Sequence, residues 1–225
     1  MRYAFLALSL CLPVQMAMAD PLSDVLARVD QAAAVFKGMK AKLKRVSYTA
    51  VIKDTSEESG ALAIKAGKPG EMQVRVDLTS PDEKTWVFRG RKAELFIPKI
   101  NTVQEYDLGK QGRLIDQFLL LGFGSRSREL AKNYNLALGG EETVAGQKTT
   151  RLDLIPKSSD AREHLNKVEI WFPHNSGNPL QQKFYLTSGD YMLVSYRDLQ
   201  LEPNLPDSAV RLTLPKGVKR EYPQK

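Results

Sequence analysis

The sequence predicts a mainly β (α+β) fold: an incomplete antiparallel β-barrel of about eleven strands, with an N-terminal helix and a short central lid helix over its concave face. Three observations predict it. From Val46 onward apolar and polar residues alternate with period two, as in Met72, Val74, Val76 and Leu78 against Gln73, Arg75, Asp77 and Thr79. Turn residues recur between these runs at short intervals, so successive strands pair antiparallel. The third is Ile115 to Gly124, IDQFLLLGFG, which is apolar all round, so something in the protein must cover it. At that length it cannot cross a bilayer, which needs about 20 apolar residues.

Leu22 to Leu43 reads as an amphipathic helix, with Leu22, Val25, Leu26, Val29, Phe36, Met39 and Leu43 on one face and Ser23 as N-cap. Gly38 marks a bend or an early end, because glycine costs about 1 kcal/mol in a helix interior. Strands then follow at Met72–Thr79, Thr85–Arg89, Glu94–Pro98 and Thr102–Leu108, separated by Ser80-Pro81-Asp82 and Gly90. After the apolar segment, the polar stretch Ser125 to Asn133 predicts a second short helix. Strands resume at Tyr134–Leu138, Thr149–Ile155, Asn166–Phe172, Leu180–Thr187, Tyr191–Leu199 and Val210–Leu214. A sheet of this size tends to curl. Its concave face would be covered by the N-terminal helix and IDQFLLLGFG.

Residues 1–19 have the form of a secretory signal peptide: Arg2, an apolar run from Ala4 to Leu12, and the small-x-small site Ala17-Met18-Ala19. Cys11, the single cysteine, lies inside it. The remaining chain, 20–225, reads as one domain that must be held by its core without disulfides. The net charge is +7, and Lys and Arg are interspersed with acids rather than massed. That pattern argues against nucleic acid and leaves a weak attraction to acidic headgroups or a negative partner.

No catalytic or metal constellation is visible, and no cofactor motif. His164 and His174 flank one predicted strand and would stand about 30 Å apart, too far to share an ion. There is no nucleophile elbow, phosphate loop or HExxH. The pairs Asp82/Glu83 and Glu141/Glu142 sit at turn-like positions and read as solvated charges.

Several short motifs occur in a fixed order. They are Lys68-Pro69 before a strand, Ser80-Pro81, Gly90, Leu95-Phe96-Ile97-Pro98, Phe118 to Leu121, Tyr134-Asn135-Leu136, Val144-Ala145-Gly146, Leu152 to Lys157, and Leu214-Pro215-Lys216-Gly217-Val218. In these the chain resembles the LolA-like periplasmic lipoprotein carriers, over nearly all of its length after the leader. The resemblance implies a half-open barrel with a hydrophobic cavity, and no enzymatic activity. It also implies a monomer in the periplasm that takes an acylated lipoprotein or other lipid from an inner-membrane ABC-type release complex to an outer-membrane acceptor. The cavity wall falls on Met72, Val74, Val76, Leu78, Trp86, Phe88, Leu95 and Ile97, and the lid on Phe118, Leu119, Leu120 and Leu121. In the family an arginine before the proline latches the lid. Here that position is Lys68, a point charge where arginine offers a planar fork, which implies a looser latch.

The physics of carriage agrees with that implication. A ~16-carbon chain in water costs roughly 12 kcal/mol, at about 0.8 kcal/mol per methylene. A lid that competes with lipid for the wall both keeps it dry and limits affinity. The alternative is a single-domain sensor or scaffold on the same fold that binds a lipidated or membrane-anchored protein. Regulators of that kind usually carry a second domain, for which a chain ending at Lys225 leaves no room.

Overall fold

The computed structural model describes residues 21–67, 71–109 and 121–224. Helix α1 spans Pro21–Val35 and buries Val25 and Val29. The expected helix to Leu43 therefore stops eight residues early, and strand β1 (Gly38–Thr49) begins instead. Met39, Ala41 and Leu43 are buried at every second position there. A spacing of four between Met39 and Leu43 keeps both on one face in a helix and in a strand, so periodicity alone does not mark where the helix ends. Gly38 is required by close approach: a Cβ there would lie 2.8 Å from the Glu202 carbonyl oxygen and 3.2 Å from the Leu205 side chain.

The other strands are β2 (Asp54–Ala66), β3 (Met72–Ser80), β4 (Lys84–Arg89), β5 (Lys92–Ile97), β6 (Thr102–Asp107), β7 (Tyr134–Val144), β8 (Gln147–Pro156), β9 (Leu165–Pro173), β10 (Gln181–Leu186), β11 (Tyr191–Leu201) and β12 (Lys219–Glu221). Helix α2 (Ser127–Asn133) precedes β7, and α3 (Ser159–Arg162) precedes β9. Among the described residues the strands form one open 12-stranded sheet, ordered β12-β6-β5-β4-β3-β2-β1-β11-β10-β9-β8-β7. Neighbouring strands are antiparallel, except that β12 pairs with β6 in parallel.

Two expected boundaries differ. Gly139-Gly140 does not end a strand. It sits where the register of β7 on β8 shifts between Leu138 and Gly140, and the strand runs on to Val144. Val210–Leu214 is not a strand. Asp207–Val210 is a 3-10 turn that presses Val210, with Leu205 just before it, into the outer face of the sheet. Arg75 Nη1 donates to the Arg211 carbonyl at 2.6 Å, and Lys65 pairs with Asp207 at 2.6 Å. This C-terminal strap then delivers β12 to β6, with the Lys219 amide donating to the Asn101 carbonyl at 2.9 Å.

The main core lies on the opposite, inner face, where α1 packs. It joins Val25 and Val29 to Met39, Leu43, Leu62, Ile64, Val74, Leu152, Leu154, Val168, Ile170, Phe172 and Phe184. The outer face of β7 to β10 is polar and ion-paired. Arg151 pairs with Glu142 at 2.6 Å and Asp153 at 2.9 Å, and Lys167 with Glu169 at 2.7 Å. Glu142, expected to be merely solvated, also accepts a hydrogen bond from the Trp171 indole at 3.0 Å.

Candidate functional site: the inner wall and the segment docked on it

Strand alternation puts Met72, Val74, Val76 and Leu78 on one face of β3, and the ladder decides what stands beside them. Val74 is opposite Phe88 and Val76 opposite Trp86, while Trp86 is opposite Leu95 on β5. Ile97 is two residues beyond Leu95 and shares its side. All eight wall residues read from the sequence therefore share the inner face.

They are not covered equally. Val74 and Leu78 are 1% exposed and belong to the core cluster, with Met72, Val76 and Phe88 packed against it. Met72, Val76, Trp86, Phe88 and Ile97 are only half-buried. Trp86 stacks on Phe88 with ring centroids 5.6 Å apart, and Tyr106 of β6 leans on Trp86 at 5.9 Å. Tyr106 completes this aromatic strip. The register of β6 on β5 places it opposite Ala93, on the inner face, a pairing that its own short strand does not announce. The inner face thus has a sealed part beneath α1 and a part on β3 to β6 where half-buried apolar side chains stand among buried ones.

The end of the greasy segment docks on the sealed part. Leu121 and Phe123 are 2% and 0% exposed. Phe123 meets Tyr196 of β11 edge-on, with centroids 5.0 Å apart. The buried Gln182 side chain of β10 donates to the Leu121 carbonyl and accepts from the Tyr196 hydroxyl at 2.6 Å. Burial in this spot raises the Tyr196 hydroxyl above its ordinary pKa. Gly124, at φ +64°, brings the chain against the wall: a Cβ there would lie 2.7 Å from Met72 Cε and 2.9 Å from Phe36. Phe118, Leu119 and Leu120, expected as the lid, and Lys68, expected as its latch, lie outside the described residues.

Nothing among the described residues gathers three metal-ligating side chains, and His174 stands instead 3.5 Å from Glu141. No helix among them is long and apolar enough to cross a membrane.

Solved structures repeat this architecture. An uncharacterized conserved protein from Thermus thermophilus superposes with TM-score 0.53 at 13% identity, over 90% of this chain and 99% of that one. MucB superposes with TM-score 0.51 at 17% identity, over 85% of this chain. The LolA superfamily protein NE2245 from Nitrosomonas europaea matches with TM-score 0.42 at 15% identity, over 84% of this chain and 97% of that one. The chain shares the fold of MucB and of the Thermus thermophilus protein. With every identity below 25%, the likeness is one of fold. The chain spans 62% of the length of MucB. No family model and no curated protein matches the sequence.

Proposed function

We propose that this chain is a periplasmic lipid carrier, exported by a leader over residues 1–19 and formed by a single domain from residue 20. It takes up the acyl chain of a lipoprotein or another lipid on its inner face and transfers it from the inner toward the outer membrane. One observation carries the reading: a half-open apolar strip of Met72, Val76, Trp86, Phe88 and Ile97 continues the wall on which Leu121 and Phe123 are docked. A side chain left half-buried on an apolar face retains contact area that an acyl chain can remove from water, at about 25 cal/mol per Å². In this proposal the segment from Phe118 to Leu121 competes with lipid for that wall.

Mass spectrometry of lipid extracted from the purified protein tests it. A bound acylated species supports carriage, and Phe88→Ala should reduce its yield. An empty interior that refuses a fluorescent fatty acid overturns it. The fold likeness to MucB, which is also among the solved structures in complex with MucA, favours a second reading as a protein-binding scaffold. That reading predicts such an empty, rigid interior together with capture of a protein partner.

A further inference from the structure

The inner face also carries three charged residues among its apolar ones. Arg45 on β1 is opposite Glu58 on β2 and, on its other side, Val194 on β11. Lys84 on β4 is opposite Leu78, and so lies on the same face as Trp86 and Phe88. Arg45 Nε donates to Glu58 Oε2 at 2.7 Å, and Arg45 Nη2 donates to the same oxygen. Lys84 Nζ donates to Glu58 Oε1 at 2.5 Å. Three strands thus bring two cations onto one carboxylate, which leaves a net positive charge beside Leu78 and Val194.

The donor count matters more than the pairing. Both Glu58 oxygens are in use, whereas Arg45 Nη1 and the remaining Lys84 hydrogens have no acceptor among the described residues. Both cationic side chains remain 30% exposed, against 13% for Glu58. Burial works to raise the Glu58 pKa, but hydrogen bonds from Lys84 and Arg45 outweigh it and hold the carboxylate ionised. A part-buried ion pair loses to desolvation much of what it gains in attraction, so strength alone is a weak reason to place three charges on an apolar wall. A guanidinium beside an ammonium, both with donors left over among the described residues and both fixed from behind, has the geometry that recognises a phosphate or carboxylate.

We propose that Arg45 and Lys84, positioned by Glu58, bind the phosphate of an anionic lipid headgroup whose acyl chains lie along the neighbouring apolar strip. The inference rests on the carrier reading and deepens it: the cargo's polar end sits at the β1–β2–β4 rim, and neutral lipids are poor cargo.

The test uses the full mature chain with phosphatidylglycerol and diacylglycerol of identical acyl chains, each presented in neutral detergent micelles. Wild type should bind phosphatidylglycerol at least about tenfold more tightly, and Arg45→Gln/Lys84→Gln should cut that preference to about twofold without weakening diacylglycerol binding. Should the double variant misfold, Lys84→Gln alone carries the comparison. Glu58→Gln removes the carboxylate that holds both cations in place and should cut the phosphatidylglycerol preference toward that of the double variant; a purely structural ion pair would lose stability with the preference unchanged. A preference that survives removal of both cations overturns the assignment while leaving carriage intact. Failure of wild type to bind either lipid overturns the carrier reading itself. Inorganic phosphate that binds without competing against phosphatidylglycerol would assign the cations to a free anion and overturn the headgroup role.

Discussion

Gln182 is the hinge pin of the docked segment, and removing it gives a sharp prediction. Its side chain is 1% exposed and joins two groups that have no water to turn to, the Leu121 carbonyl and the Tyr196 hydroxyl. Gln182→Leu keeps the volume roughly constant but orphans both. A buried polar group without its partner costs about 1–3 kcal/mol, so the variant should lose about 2–6 kcal/mol if the segment stays shut. Tyr196→Phe orphans the Gln182 oxygen alone and should cost about 1–3 kcal/mol. In the double variant the hydroxyl and its acceptor vanish together, and only the Leu121 carbonyl remains unpaired. Its loss should therefore fall short of the sum of the single losses by about 2 kcal/mol or more. Urea unfolding measures all three stabilities, and amide exchange over Leu121 to Gly124 reports whether the segment lifts off. If it does, the loss in Gln182→Leu is capped by the free energy of lifting, and exchange at those amides accelerates while the rest of the sheet stays protected. Additive losses with unchanged exchange would refute the idea that this amide fastens the segment to the wall.

Three further expectations follow from other parts of the molecule. Gly124→Ala meets Met72 and Phe36 and adds strain at φ +64°, so it should cost about 1–3 kcal/mol in urea unfolding and increase access of a fluorescent fatty acid to the wall. The folded pKa of Glu58 lies below its ordinary 4.5, so its contribution to stability is present above that value and is lost as pH falls through the folded pKa. Acid unfolding monitored below pH 4.5 should thus be shallower in Glu58→Gln than in wild type. Val210→Ala removes a fully buried anchor of the C-terminal strap and should cost about 1–3 kcal/mol in thermal or urea unfolding, with no effect on lipid bound to the opposite face.

The wall was legible because a strand buried on one face writes its own pattern: Met72, Val74, Val76 and Leu78 need only period two to be placed together. The docked segment was legible through Leu121 and Phe123, since a run greasy on every side has to be covered. Met39 and Leu43 misled because residues four apart share a face in either geometry. Val210 misled for a different reason: it is buried by tertiary packing of a 3-10 turn, and an isolated apolar residue does not tell which surface it fills. Arg45, Glu58 and Lys84 could not be found from sequence at all. They look like ordinary solvated charges until strand register sets them on one carboxylate, and register is a property of the whole sheet. Tyr106 joined the aromatic strip in the same way.

The sheet ends in two edges, β7 and β12, that are not paired with each other among the described residues. A closed barrel has its bore set by strand number and shear, and to widen it must tear a ladder of hydrogen bonds from end to end. An unsealed cuff has no such constraint. It can flex in girth through small changes of twist shared over many strands while every ladder stays intact. In the proposed carrier, such compliance would set a tolerance for cargo width that no single side chain controls.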